Sequence, residues 1–597
     1  MDRASSPAGS QDRGEWDAIV IGTGMGGATL GHALAQAGWR VLFLEKGRSH
    51  IGNREALRGN YAEQFFPQPE APQRKHREIL ARAGRCADEL VDLTRSRPRR
   101  FIPFIGSGAG GSSALYGMAM ERFSPPNFTP RGNFPAAPAT SLPERWPVTY
   151  AELRLFYEAA ERLYQVRGER DPLFDFTGCG QGPSAASDLL PPPPLQPGNQ
   201  ELFDFLRSRG LHPYRLPMAC EYAHGNDRSQ GFLDATGAKN DSAKICLTPA
   251  LEALGACMLE ECEVLRLEAT RKQVTAIECL WRGERRTLRA PVVVLASGAL
   301  ATPGILLGSA SPLWPNGLAN DSGLVGRNLM RHFLDLYAVY PKTPGPYPGN
   351  LKQLAFNDFF HADGQRLGTL QSFGPLPAPG QIAAALEQEL LEVGRPWAAR
   401  FFRWARPALR PFLTRLSTRT LVLASMLEDL PYPQNRVTLA AAPSSPSGRR
   451  LEIRYQISAH EQTRIRAFRE HIGAALRPYR FTRVELAESN THLAHVCGTC
   501  RFGLDPAASV LDATNRAHGL ENLYVVDASF FPSSGGANPG LTIAANALRV
   551  AAHLTERYAR PHRTHGARHT APASVVQGRG PGELEATTRS ERNVYRH

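Results

Sequence analysis

The chain has 597 residues, 42 % of them hydrophobic and 21 % charged, ordinary values for a folded protein too long for a single hydrophobic core. No apolar run reaches the ~18 residues of a membrane-spanning helix, and nine cysteines, an odd and sparse set, do not make a disulfide framework. The formal charge of +13 does not describe a nucleic-acid-binding face: seven arginines without an acid in Arg395–Arg419, and seven against three glutamates in Arg560–His597, leave the remaining chain nearly neutral.

Residues 1–14 are polar and expected as a disordered tail. The first 15 residues lack the apolar stretch of a secretory signal, so the expected compartment is the cytoplasm. The stretch "WDAIVIGTGMGGATLGHALAQAGWRVLFLEKG" predicts strand, tight turn, helix, strand. The first strand is the apolar run Ala18 to Ile21, the helix is rich in small residues and ends at Gly38, and the second strand runs from Arg40 to Glu45.

The loop "GTGMGG" places Gly22, Thr23, Gly24 and Gly27 between the first strand and its helix. Gly22 permits the tight turn, Gly24 lets the backbone approach a pyrophosphate, and Gly27 lets helix and strand pack closely. Glu45, 18 residues after Gly27, can accept hydrogen bonds from ribose hydroxyls and would repel a 2′-phosphate. This is a dinucleotide site; the motif alone does not separate FAD from NAD.

A second glycine-rich loop, "GSGAGGSS" (Gly106 to Ser113), follows the apolar "FIPFI". Further along, "WPVTYAELRLFYEAAERLYQV" predicts an amphipathic helix with Leu153, Phe156, Tyr157, Ala160 and Leu163 on one face. "LPPPPLQPG" is a loop or rigid linker. "APVVVLASGALATPGILL" reads as a buried strand entering a helix, and Gln381 to Met426 as a helix-rich segment. Near the end, "ENLYVVDAS" predicts a strand and "NPGLTIAANALRVAAHL" a loop entering a helix. The tail from about Arg560 has no apolar periodicity and is expected outside the fold.

"HVCGTC", His495 to Cys500, carries a C-x-x-C pair. A redox dithiol needs a helix N-terminus beside a βαβ unit, and a zinc site needs a second pair at suitable spacing. Neither context is present, so Cys497 and Cys500 are expected as small buried thiols and no metal is assigned.

Three regions together resemble the glucose–methanol–choline (GMC) oxidoreductases, FAD-dependent enzymes that oxidise alcohols: the nucleotide loop, "GSGAGGSSALYGMAMER", and the block from "HVCGTCRFG" through "GGANPGLTIAANALRVAAHL". The resemblance covers most of residues 15–340 and 490–556 and is thin between. It implies an α/β fold with a Rossmann-like FAD-binding domain (15–50, 100–125, 240–335 and 490–558). A discontinuous α+β substrate domain, built on an antiparallel sheet, takes 51–99, 126–239 and 336–489. By the same resemblance His495 is the active-site histidine, and Asn538 the second active-site position in the asparagine version of the cholesterol-oxidase-like branch. Gly110, Gly111 and Ser112 pass the flavin. Asp527 and Ala528 lie beside its diphosphate and ribityl, Pro539 and Thr542 near its pyrimidine edge, and the Val264 backbone at the adenine. Tyr116 stands where many members carry an asparagine near the flavin. His332, in "RNLMRH", is read as structural. The FAD is expected to be non-covalent.

The implied reaction removes a hydride from an alcohol carbon to flavin N5 and a proton from its hydroxyl. A neutral imidazole at His495 suits the proton. The Asn538 amide can donate to the substrate oxygen and support developing negative charge. The product is an aldehyde or ketone; oxygen, a quinone or a redox protein is the electron acceptor. Lyases and light-driven decarboxylases on the same fold, and a non-catalytic flavoprotein, remain alternatives.

In "PWAARFFRWARPALRPFLTRL", helical spacing gathers Trp397, Phe401, Trp404, Ala408 and Phe412 on one side and Arg400, Arg403, Arg406 and Arg410 on the other. Three placements fit: an ordinary surface helix with its aromatic face in the core, a peripheral contact with the inner membrane surface, or a subunit contact. Pro407 and Pro411 each interrupt helix bonding. A membrane contact would favour an apolar alcohol such as a sterol or long-chain alcohol.

Overall fold

The structure, a computed structural model, describes residues 16–66, 73–135, 137, 140–174, 189–222, 230–343, 345, 352–374, 387, 390, 395–440 and 450–558. The expected tails at 1–14 and 560–597, and 381–386, 388–389 and 391–394 at the start of the expected helix-rich segment, lie outside the described residues.

The run Ala18–Ile21 is buried at every position, as a central parallel strand covered on both faces must be. It pairs on one side with Val41–Leu44 and on the other with Val292–Leu295. Cys257–Leu259 and Leu523–Val525 close the two edges of this five-stranded parallel sheet. The helix Met25–Gln36 crosses from the first strand to Val41–Leu44. It lies close to the sheet because Gly31 carries no side chain: a Cβ there would stand 2.3 Å from the Phe43 ring. The strand–helix pair Val292–Leu295 and Gly298–Gly308, and the late helix Gly540–Arg557, fall where the apolar pattern puts them.

A second sheet is antiparallel throughout. Its order is Arg480–Glu485, His332–Tyr340, Leu421–Glu428, Gly368–Gly374, Leu354–Phe356 and Tyr214–Arg215. Leu202 and Leu206 from the helix Pro197–Ser208, and Ile465, Phe468 and Ile472 from the helix Ala459–Leu476, share one core with Phe333, Tyr337, Leu354 and Leu423 of the sheet. Each such side chain contributes about 1.5–3 kcal/mol by leaving water. The amphipathic helix Tyr150–Leu163 starts at a capping box in which Thr149 and Glu152 bond reciprocally. It buries Leu153, Tyr157 and Ala160, with Phe156 and Leu163 half-buried. Both sheets belong to one compact unit that extends to Glu556.

The helix-rich reading of Gln381 to Met426 holds for Pro396–Arg419 but not for its end, since Leu421–Glu428 is a strand. All eight residues of that strand are buried, and a continuous apolar run does not distinguish a doubly covered strand from a buried helix. The helix Pro396–Arg419 runs through Pro407 and Pro411, each omitting the hydrogen bond its ring nitrogen cannot make. Trp397, Phe401 and Trp404 are 72, 63 and 79 % exposed, so these three aromatic side chains do not enter the core. Among the described residues, no helix is long and apolar enough to cross a membrane.

Candidate active site

The turn after the first strand needs glycine on geometric grounds. Gly22 has φ +102°, and a Cβ there would meet the Ala296 carbonyl oxygen at 2.4 Å. A Cβ on Gly27 would stand 2.1 Å from the Gly22 oxygen. Gly24 is the opposite case: a Cβ there would meet nothing within 4 Å, and the helix it caps has no side-chain N-cap. An open backbone face at an uncapped helix N-terminus is a cradle for a phosphate, so these residues fit the diphosphate of FAD.

The second glycine loop packs on the first, with a Cβ at Gly111 placed 3.1 Å from Gly24 Cα. Gly110 and Gly111 both have positive φ, and Ser112 Oγ accepts the Gly106 N–H at 3.0 Å. Glu45 joins the two loops. Its Oε2 accepts the Thr23 N–H (3.1 Å) and O–H (2.7 Å), and its Oε1 accepts Gly47 and Gly108 N–H groups, both at 2.9 Å. A carboxylate has about four lone-pair sites, so a ribose hydroxyl at Glu45 displaces one of these donors. Val264 is buried on the strand Cys262–Ala269, whose first N–H bonds the Glu45 carbonyl at 2.9 Å. The Tyr116 hydroxyl donates to the Asn240 carbonyl at 2.6 Å, which ties that phenol to the backbone rather than leaving it free.

Asp527, at the end of the strand Leu523–Val525, accepts the Gly298 N–H at 2.9 Å and the Thr302 hydroxyl at 2.5 Å. Burial pushes its carboxyl above the usual range. Ala528, beside it, accepts the Gly498 N–H at 3.1 Å, which links this turn to the His495 segment. Pro539 is buried, and the Thr542 hydroxyl meets the Tyr157 hydroxyl at 2.8 Å.

His495 sits at φ +57°, a sparsely populated backbone state for a non-glycine residue. Its Nδ1 lies 2.9 Å from Nδ1 of His332, and His332 Nε2 lies 3.2 Å from the Ser534 carbonyl oxygen. Burial pushes His332 down to about 4, so it carries one proton near neutrality. A carbonyl only accepts, which puts that proton on Nε2 and leaves His332 Nδ1 as an acceptor. The short Nδ1–Nδ1 contact then requires the proton on His495 Nδ1, and His495 Nε2 is left with a lone pair. Burial first, then His332 and Lys352 nearby, hold the His495 imidazole well below its ordinary value. His332 is therefore more than the structural residue the sequence suggests: it contacts the candidate base directly.

Asn538 directs its amide nitrogen towards Met426 Sδ (3.8 Å), while its Oδ1 is buried without a hydrogen-bond partner among the described residues. Gln371 reaches the same sulfur at 3.2 Å. Neither His332 nor Gln371 stood out as a functional residue. Gln371 lies where the family resemblance is thin, and His332 acquires its partner only through folding.

Cys497 and Cys500 are buried free thiols. Burial raises both thiol pKa values, which opposes the thiolate that redox exchange needs.

Two family profiles match this chain: "FAD dependent oxidoreductase" over residues 17–316, half of the chain, and "GMC oxidoreductase" over 431–547, a span that holds both His495 and Asn538. The chain belongs to the GMC oxidoreductases, and its cofactor is FAD. It is similar to 6'''-hydroxyparomomycin C oxidase of Streptomyces lividus, at 29 % identity over 92 % of this chain and 93 % of that protein. It is also similar to 2-methyl-1,2-propanediol dehydrogenase of Mycolicibacterium austroafricanum, at 27 % identity over 91 % and 95 %. The crystal structure of pyridoxine 4-oxidase from Mesorbium loti shares the fold, with a TM-score of 0.56 and 21 % identity over 91 % of this chain and 99 % of that one.

Proposed function

We propose that this enzyme oxidises the CH–OH group of a small alcohol to an aldehyde or ketone, with His495 as base, Asn538 as the hydrogen-bond donor to the reacting oxygen, and non-covalent FAD. The observation that carries the assignment is the His332–His495 pair at 2.9 Å, which presents His495 as a neutral imidazole with its lone pair at Nε2. Bound FAD supplies the two-electron acceptor for the carbon-bound hydride. The chain's own part is proton and charge handling. As the C=O bond forms, His495 Nε2 takes the hydroxyl proton, and the resulting charge is partly shared with His332 through Nδ1. The Asn538 amide holds the oxygen and stabilises negative charge on it, in the manner of an oxyanion-hole donor. Gly22, Thr23, Gly24, Gly27, Gly110, Gly111, Ser112, Asp527, Ala528, Pro539 and Thr542 form the proposed cofactor cradle, with Glu45 and Val264 at its adenosine end and Tyr116 at its rim.

We also propose the domain division 15–50, 100–125, 240–335 and 490–558 for FAD binding and 51–99, 126–239 and 336–489 for substrate. In its support, all five parallel strands come from the first set. Five of the six antiparallel strands come from the second, and the sixth, His332–Tyr340, straddles the boundary. An anaerobic screen of alcohols for flavin bleaching, followed by air, a quinone or a dye acceptor, tests the function. A lyase or a non-catalytic flavoprotein keeps its flavin oxidised with every alcohol.

The exposed aromatics of Pro396–Arg419, flanked by exposed Arg400 and Arg403, favour a peripheral contact with an anionic bilayer. Flotation with phosphatidylglycerol liposomes should carry the protein at low salt and lose it in Arg400→Glu/Arg403→Glu. No flotation of the unaltered protein at low salt rules this contact out.

A further inference from the structure

Beside the loop that carries Asn538 lies a small, partly open cleft whose lining includes Glu121, Asp171, Tyr214, Asn357, Phe360 and Ala537. Ala537 immediately precedes Asn538. The polar groups form one chain of hydrogen bonds. The Tyr214 hydroxyl donates to Glu121 Oε1. Asn357 Nδ2 donates to the Tyr214 oxygen at 2.9 Å and to Asp171 Oδ2 at 2.7 Å. Asp171 Oδ1 accepts the Leu173 N–H at 2.9 Å. With Glu121 and Asp171 ionised, the side-chain donors of this chain are thereby committed, and what it leaves over are acceptors. Glu121 Oε2 and Asn357 Oδ1 have no hydrogen-bond partner among the described residues, although the two side chains are only 5 % and 6 % exposed. Buried acceptors of this kind select a ligand that brings donors.

The charges nearby argue for hydroxyl rather than ammonium donors. Arg122 and Arg170 also line the cleft and both bond Glu161, and the buried Lys352 ammonium interacts electrostatically with Glu121. Burial in addition pushes the Glu121 carboxyl up to about 7, so near neutrality Oε2 alternates between a bare acceptor and a protonated O–H; a hydroxyl, which both donates and accepts, pairs with either form, whereas an ammonium pairs only with the first. We propose that this cleft is a substrate subsite in which Glu121 Oε2 and Asn357 Oδ1 accept hydrogen bonds from the remote hydroxyls of a polyhydroxylated alcohol whose CH–OH group reaches Asn538. The inference rests on the alcohol-oxidising function above. It separates the substrate from the apolar alcohols that a membrane contact would suggest, because a sterol or alkanol leaves both acceptors unpaired.

The test is flavin reduction in the FAD-loaded enzyme, measured anaerobically by stopped flow with xylitol and glucitol against 1-pentanol and 1-hexanol, and with 1-amino-1-deoxyglucitol as the cationic arm. The polyols should bind at least about tenfold tighter than the alkanols, and Glu121→Ala and Asn357→Ala should each reduce that preference by about tenfold or more. Glu121→Gln, which keeps an acceptor without the charge, should retain it. Alkanols that bind as well as polyols, or a preference untouched in both alanine variants, overturn the subsite. A preference for the amino alcohol that disappears in Glu121→Gln replaces hydroxyl recognition with cation recognition and also overturns it. If Glu121→Ala does not fold, Asn357→Ala carries the comparison. If no alcohol reduces the flavin, the oxidoreductase function fails instead. The subsite is then decided by titrating the oxidised holoenzyme with polyol and alkanol and reading the flavin absorbance shift, which needs no turnover.

Discussion

Replacing His332 tests the proton arrangement at the candidate base. In the native enzyme His495 Nδ1–H is committed to His332 Nδ1 at 2.9 Å, and His332 in turn to the Ser534 carbonyl at 3.2 Å. In His332→Leu the acceptor is gone. His495 then either keeps a buried N–H without a partner or moves its proton to Nε2, where it blocks the base. A buried donor left unpaired costs about 1–3 kcal/mol, which corresponds to a loss of about 5- to 150-fold in the rate of flavin reduction. His332→Asn is the matched control, because an Asn carboxamide oxygen occupies roughly the place of His Nδ1 and can accept the same proton. The assay is single-turnover flavin reduction with a saturating alcohol, alongside FAD content and melting temperature. The leucine variant should be slow with FAD retained, and the asparagine variant should recover most of the rate. A leucine variant that reduces its flavin at the native rate, or an asparagine variant as slow as leucine, refutes the reasoning.

Three further outcomes follow from the same geometry. Burial holds His495 well below 6.5 and the neutral form is the base, so kcat/KM should be level between about pH 6 and 8 and fall only at lower pH, as Nε2 gains a proton; an acid limb centred at 6.5 or above contradicts this. Gly27→Ala puts a Cβ 2.1 Å from the Gly22 oxygen and should lower both melting temperature and FAD content, whereas Gly24→Ala adds its methyl to open space and should lower FAD content while sparing the melting temperature of the apoprotein; full FAD retention in Gly24→Ala removes that residue from the cradle. Cys497→Ser and Cys500→Ser should each stay within about threefold of native flavin reduction, since buried thiols with raised pKa are poor redox groups; a much larger loss with FAD retained would restore a dithiol role.

What was legible beforehand is what short-range pattern encodes. The strand Ala18–Ile21, its glycine turn and the helix Met25–Gln36 follow from an apolar run, a G-x-G-x-x-G spacing and small residues on one helix face, all within about 20 positions. The amphipathic face of Tyr150–Leu163 is equally local. The strand Leu421–Glu428 was not legible, because eight buried residues in a row carry no period that separates strand from helix. The placement of Pro396–Arg419 was not legible either. Amphipathicity shows that a helix has an apolar face, but not what covers it, and here Trp404 stands 79 % exposed.

By itself the sequence determined the class of nucleotide site and nominated His495 and Asn538, because glycine spacing and the C-terminal block are contiguous in the chain. Only the tertiary structure decided how that histidine holds its proton, through His332, 163 positions earlier. It also decided that Glu121, Tyr214 and Asn357, from three distant segments, share one hydrogen-bond chain beside Ala537. The physical reason is range: turn and helix preferences act between near neighbours, whereas the direction of a proton or the partner of a buried acceptor is set by whichever strands the sheet brings side by side.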